Sequence, residues 1–527
     1  MHHQPDGRKR RVAIIGTGLA GLTTAYLLHQ DTQKRYEVTL FEQVETHSPT
    51  HSLTHPDAEM QILTAPQAPK LSLDAASVTL RNDATASLER IDIPPRSFCR
   101  GYYANLCRMY DHLGVPFQRI QLVWVFAKAS ASTQSQIPSA AAAEAMPGSY
   151  FVYGKRLHEL LLVSPHFWLR GSLHNVLLTF YLAVCHAWFF AACFLCPPRT
   201  IRPERYLDVK GASAKRDDSC ESFRQYLDRI WLPQYYVLYF LLPILSIICS
   251  CSHAEMLDFP ASDVTAFMKG SFLRKTYVAR GGINRVQATL AGGIRDVRLQ
   301  TRVTRVERVD GGVSIRYDSQ AERRSAEEVF DRVVLAVSPN VAAAIFSPSK
   351  PLLSVIPTVP VTSTVLASPS ARISLVDEKT HVPSGQCSYR RGEAQIMAFR
   401  TSFADSVVQT ESLHYLDGGL VVRTSPTADV PAVKGTLDTA RFTRTLRTTE
   451  SRNMVRRAMA GDGAGWANGR DDVWIVGSWC WDGMVLLEGC VVSAMRVARD
   501  LGIIHDTLIL YNQDLYSASG MDEYSGT

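Results

Sequence analysis

Residues 12–22, Val-Ala-Ile-Ile-Gly-Thr-Gly-Leu-Ala-Gly-Leu, constrain this chain more than any other stretch. An apolar strand breaks at glycines and runs directly into an apolar helix, which makes a cradle for a phosphate. Gly16 permits the tight turn, Gly18 lets the backbone approach a diphosphate, and Gly21 lets the helix pack close to the strand. The N–H groups of Leu19 and Ala20, at the helix start, have no intrahelical acceptors and face the anion. Such a glycine pattern is weak evidence alone. Here residues 11–15 are strand-like, residues 19–29 are helix-like, and residues 37–42, Glu-Val-Thr-Leu-Phe-Glu, form a second strand ending in an acid, about 20 residues after the last glycine. Glu42 can accept from both hydroxyls of a ribose, whereas a 2′-phosphate would be repelled. The pattern therefore selects an adenine dinucleotide without that phosphate. A glycine turn in a βαβ unit that binds nothing is the bland alternative.

A chain of 527 residues is too long for one nucleotide-binding unit, so two interleaved or consecutive domains are expected. With 46% hydrophobic and 20% charged residues it can bury a sizeable core. Its net charge of +6 is too mild and too dispersed for nucleic acid. The 11 cysteines are scattered and odd in number, which fits reduced thiols. Cys193, Cys196, Cys249 and Cys251 lie in or beside apolar runs without a companion cluster, so they read as buried structural residues and no metal site is expected. Polar, basic residues 1–9 leave no room for the apolar core of a secretory signal, and an intracellular start is expected. His47, His51 and His55 recur every four residues, but Pro49 and turn-forming neighbours argue for a loop rather than a helical metal stripe.

From residue 91 the pattern leaves the nucleotide unit. Tyr103, Leu106, Tyr110 and Leu113 share one helical face, and an Ala/Ser-rich stretch, residues 128–146, reads as a surface loop. Two apolar runs follow, 176–196 and 235–251, the second holding Pro243. Each is near the length of a membrane span and each could be a buried helix. Sheet-like segments return at 297–308, 312–317 and 331–337, and further β-rich runs occupy 343–447. Residues 473–490 close the pattern: a strand, a glycine turn at Gly477-Ser478, and a helix beginning near Leu487 whose dipole points at a ligand.

Taken in order, the glycine motif, the block from Gly281-Gly282 to Val337 and the block from Gly477 to Gly489 resemble the flavin-containing amine oxidase superfamily. Segment 91–115, opening Ile-Asp-Ile-Pro-Pro-Arg-Ser-Phe, resembles the branch of predicted FAD/NAD-binding proteins associated with lipid-modifying enzymes. The resemblance implies an α/β fold: a Rossmann-type FAD-binding domain assembled from discontinuous segments, with an α+β substrate domain. The FAD-binding segments would be 8–90, 271–342 and 466–502, the substrate domain 91–270 and 343–465, and the flexible tail 503–527. It further implies FAD diphosphate at Gly16, Gly18 and Gly21, adenosine ribose at Glu42, adenine beside Val303, and the flavin end near Gly477, Ser478, Leu487 and Glu488. Two departures stand out. The family's Gly-Gly-Arg after the second strand is absent, and Ser478 stands where an acid is usual.

Trp479 or Trp481 is placed to frame a cationic amine, or to pack in the core. No lysine can be assigned beside the flavin, and no catalytic residue is legible. Three functions follow: an FAD-dependent oxidoreductase taking a hydride from a C–N or C–H bond of an apolar small molecule, a lipid or isoprenoid desaturase or isomerase using FAD, and a flavin-binding scaffold without turnover. The apolar runs bear on location. Cofactor segments flank run 176–196, so a single crossing would strand them on opposite sides of a bilayer. The two runs are therefore expected to be buried or membrane-dipping helices of the substrate domain, or else a two-span hairpin, with Arg199, Arg202 and Arg205 at an anionic lipid surface.

Overall fold

The computed structural model describes residues 8–43, 60–62, 71–82, 87–129, 149–154, 172–199, 220–367, 394–403, 407–416, 420–428, 430, 433, 435–461 and 465–503. His47, His51, His55, residues 130–146, Arg202, Arg205 and the tail beyond Ile503 lie outside the described residues.

Five parallel strands from distant parts of the chain meet in one sheet: β1 (Arg10–Ile15), β2 (Tyr36–Phe41), β3 (Asp296–Arg298), β4 (Arg332–Leu335) and β5 (Val473–Ile475), in the spatial order β3-β2-β1-β4-β5. Val12 lies opposite both Val38 and Arg332, and Leu335 lies opposite Ile475. A parallel strand covered on both faces needs a continuous apolar run, and Val12, Ala13 and Ile14 are completely buried. Five helices matter to the site: α1 (Leu19–His29), α2 (Ala104–His112), α3 (Ser172–Leu195), α4 (Ala261–Ser271) and α5 (Leu487–Asp500). Helices α1 and α5 pack together beside the parallel sheet. An antiparallel ribbon of Thr301–Val309, Gly312–Ser319 and Arg324–Phe330 adjoins β2, where Phe41 meets the rings of Tyr317 and Phe330 at 5.3 and 5.9 Å.

The second layer is a nine-stranded sheet. Across it run Thr436–Thr445, Thr358–Ala367, Leu420–Ser425, Gln409–Leu416, Ala394–Ser402, Phe117–Lys128, Thr276–Ala279 and Phe98–Cys99, and Ser149–Gly154 pairs with Phe117–Lys128. Thr276–Ala279 thus sits in this sheet although its sequence neighbours return to the nucleotide half. Its pairing with Phe117–Lys128 lets Tyr277 join Phe117 and Phe98 in one aromatic cluster.

The apolar run 235–251 is core. Phe240, Leu241, Leu242, Leu245 and Cys249 are buried. A π turn, Val237–Leu241, precedes helix Leu242–Cys249, whose first turn takes Pro243, so the missing N–H of the proline falls where the ladder is already re-registered.

Candidate cofactor site

Each glycine of the turn has its own reason to be there. Gly16 has φ +102°, and a Cβ on it would lie 2.6 Å from the Ala336 carbonyl oxygen. A Cβ on Gly21 would fall 2.1 Å from the Gly16 oxygen, so α1 could not seat on the turn. Gly18 is different: a Cβ there would meet nothing within 4 Å. Gly18 is also the N-cap of α1 and no side chain caps that helix start. Open space thus lies at Gly18, beside the uncapped positive end of a helix, which is the arrangement that receives a diphosphate.

Glu42 follows β2 and is buried. Its Oε2 accepts from the Thr17 amide at 3.0 Å and from the Thr17 hydroxyl at 2.6 Å, and the Thr17 Oγ1 in turn accepts from the Ser72 amide at 2.8 Å. The carboxylate is therefore aimed by the turn itself. Thr17 carries no motif signal, since the position between the first two glycines admits any residue; its role emerges only from the contact. The Glu42 carbonyl accepts from Thr301 N at 2.8 Å, which anchors the ribbon that carries Val303. Val303 is buried opposite Tyr317, two residues along from that anchor.

At the other end, Gly477 donates its N–H to Ser493 Oγ at 3.0 Å and accepts from it at 3.1 Å, closing the turn after β5 onto α5. Gly489 packs on the Ser478 carbonyl, where a Cβ would fall 2.4 Å away. Leu487 opens α5, which has no side-chain cap. The Cys490 sulfur faces the Ala20 N–H, so the first turns of α1 and α5 adjoin; burial pushes the Cys490 thiol up to about 12 and keeps it neutral. The structure thereby gathers the glycine turn, Leu19, Ala20, Gly477, Ser478 and Leu487 around two neighbouring helix starts.

Glu488 has a different place. It is fully buried; Oε1 accepts from the Asn105 amide at 2.9 Å and from Asn105 Nδ2 at 2.7 Å, and Oε2 accepts from the Leu106 amide at 2.9 Å. Both oxygens serve the start of α2, which otherwise lacks a side-chain cap. Burial pushes the carboxyl up to about 7, against the pull of these three donors. Trp479 and Trp481 are likewise buried, and their carbonyls accept from Arg447 Nη2 and Nη1, both at 2.6 Å. Arg447 itself is buried beside Asp263, which also takes Arg452 Nε at 2.7 Å. Two arginines around one acid thus hold the aromatic turn in the core. The sequence carried no sign of this cluster, whose members are far apart along the chain.

The residues present fit FAD: open space at Gly18, an uncapped helix start, an oriented acid for a ribose, and a second uncapped helix start beside the first. Comparison with known proteins agrees. Residues 226–399 match the family model of flavin containing amine oxidoreductase, and residues 14–50 match that of the NAD(P)-binding Rossmann-like domain. No curated protein matches the chain. Among solved structures, a CLA-producing fatty acid isomerase from P. acnes shares 13% identity over 93% of this chain and 98% of its own, with a TM-score of 0.50. A putrescine oxidase shares 14% over 94% and 99%, TM-score 0.49, and cyclohexylamine oxidase from Brevibacterium oxydans IH-35A shares 13% over 94% and 100%, TM-score 0.47. At 13% identity the likeness to the isomerase speaks to the fold alone. The family matches, the parallel sheet and the dinucleotide cradle together support an FAD-dependent oxidoreductase similar, over residues 226–399, to the flavin containing amine oxidoreductases.

Proposed function

We propose that this oxidoreductase takes a hydride from a C–N or C–H bond of an apolar small molecule, and that it is an intracellular enzyme that meets this substrate at a membrane surface. Bound flavin supplies the hydride acceptor; the protein positions the donor bond and keeps water out. The reading is carried by one observation, the two-sided character of α3.

On one side of α3, Leu182, Cys185, Phe189, Ala192 and Cys193 are buried in the main core at helical spacing. On the other, Leu177, Phe180, Val184, Trp188 and Leu195 are exposed, Phe180 by 68%. The part long and apolar enough to span a bilayer is Val176–Leu195, whose most apolar 18 residues are 28% buried. A core helix would be mostly buried, and a span could not stay welded along one side to the domain that packs on the cofactor half. A helix lying in the plane of the membrane needs one face in protein and one in lipid.

Neighbouring elements extend the face. Trp188 donates from Nε1 to the Ile230 carbonyl at 2.8 Å, next to Trp231, which is 87% exposed at φ +57°. Phe190 and Phe194 meet Phe272 at 4.9 and 5.6 Å, next to Leu273, 83% exposed at φ +53°. Bulky side chains held in the left-handed region and turned outward are uncommon. Lys269, Arg274 and Lys275 are exposed around that corner, suited to anionic headgroups. The same face suits the second reading, a desaturase or isomerase of acyl or isoprenoid chains.

The experiment is anaerobic incubation of the yellow protein with separate pools of amines and neutral lipids. Bleaching of the flavin absorbance by an apolar pool is expected. If every pool leaves the spectrum unchanged and is itself recovered unaltered, a flavin-binding scaffold without turnover replaces this reading; an isomerised lipid with unbleached flavin favours the second reading.

A further inference from the structure

The stretch after Glu42 lacks the arginine usual in the family, yet residue 96 brings a cation near Cys490, beside the start of α1. Arg96 Nη1 is buried and has no hydrogen-bond acceptor among the described residues. Buried guanidinium donors without acceptors are costly, because the charge cannot be relieved by losing a proton. Its electrostatic neighbours are Tyr110, Asp92, Asp74 and Cys490. Asp92 spends both oxygens on the Ile283 amide, at 3.1 and 3.0 Å, and Asp74 Oδ2 pairs with Arg90. Cys490 is a neutral thiol whose sulfur faces the Ala20 N–H at the open start of α1. Tyr110 is a buried phenol whose pKa burial raises, so it supplies no anion.

This shell is tied to the glycine turn from a second side. The Ser72 amide donates to Thr17 Oγ1, and two residues later Asp74 Oδ1 is also buried without a partner. An orphaned donor and an orphaned acceptor in one shell call for a ligand that carries both acceptor oxygens and hydroxyls. The diphosphate of FAD, flanked by ribose and ribityl chains, has that composition.

We propose that Arg96 binds a diphosphate oxygen of FAD, supplying from segment 91–98 the cation that the stretch after Glu42 lacks. The proposal rests on the assignment of FAD, and its test separates the two. The full-length protein, freed of flavin, is titrated with FAD, ADP and adenosine by calorimetry, for wild type, Arg96→Met and Arg96→Gln. Wild type binds ADP more tightly than adenosine. Either variant weakens FAD and ADP by about 10- to 100-fold, the range of a charged hydrogen bond, and leaves adenosine unchanged, so the preference for ADP disappears. Far-ultraviolet circular dichroism shows which variants are folded, and the neutral, hydrogen-bonding Arg96→Gln serves if Arg96→Met does not fold. Unchanged ADP preference in a folded variant overturns the role of Arg96 while FAD stands. Wild type that binds neither FAD nor ADP overturns both.

Discussion

The Thr17 hydroxyl donates to Glu42 Oε2 at 2.6 Å, locking the residue between the first two glycines to the acid that follows the next strand. Phosphate cradle and ribose acceptor are therefore one rigid unit, and damage to either should be felt by the whole adenosine half of the cofactor. The purified protein should be yellow and release FAD, not FMN, on denaturation, because FMN lacks the half that this unit serves. Glu42→Ala should weaken FAD by about 1.5–3 kcal/mol, the scale of a charged hydrogen bond. Thr17→Val should act in the same direction but less, since it removes only the hydroxyl. Gly18→Val should abolish binding by filling the open space before α1. A colourless protein that stays colourless with added FAD would sink the assignment.

Glu488 makes a pH-dependent contribution that can be isolated. Its carboxyl is raised to about 7 in the folded chain, above an ordinary unfolded value near 4.5. Between those values the folded state binds more protons than the unfolded one, so this group lowers stability as pH rises through the window and levels off above about 7. The whole effect is on the order of 3 kcal/mol. Melting temperatures from pH 5 to 8 should fall less steeply for Glu488→Gln than for wild type. Parallel curves would mean that Glu488 titrates as an ordinary exposed acid.

Arg447 should be intolerant of replacement. Arg447→Met leaves the Trp479 and Trp481 carbonyls without their donors and leaves Asp263 with Arg452 alone. Breaking a buried charged cluster by removing one partner costs about 3–5 kcal/mol. Loss of thermal stability should accompany any loss of flavin; a variant that sheds flavin at unchanged melting temperature would point to a direct cofactor role instead.

The two faces of α3 should separate by experiment. Phe180→Ser and Trp231→Ser, on the exposed side, should reduce flotation with anionic vesicles while leaving the unfolding free energy within about 0.5 kcal/mol of wild type. Phe189→Ser, on the buried side, should destabilise by about 3 kcal/mol or more through a cavity and a buried hydroxyl. In cell fractions the protein should leave the membrane pellet in carbonate. Release by detergent alone would favour a two-span hairpin, and protein that never pellets would make the exposed face an interface of another kind.

What the sequence determined by itself was local. Gly16, Gly18, Gly21 and Glu42 fall within one strand-turn-helix-strand unit, where backbone sterics and helix polarity dictate the structure without help from the rest of the chain. The composition of run 176–196 was equally plain. Its two faces were not, because nearly every side chain in it is apolar and its few polar residues, Thr179, Tyr181 and His186, are too sparse for periodicity to distinguish a buried face from an exposed one. Only the packing of Phe189 and Cys193 against the core, with Phe180 left outside, decided which side is which. Glu488 makes the same point through distance. Its position at the start of α5 suggested a cofactor contact, yet its partners Asn105 and Leu106 come from 382–383 residues away, and a carboxylate takes whichever donors the tertiary fold brings within about 3 Å. Arg96, Arg447 and Asp263 were invisible for that reason too: a charge acquires meaning when it is buried, and burial is a property of the assembled fold rather than of any window of sequence.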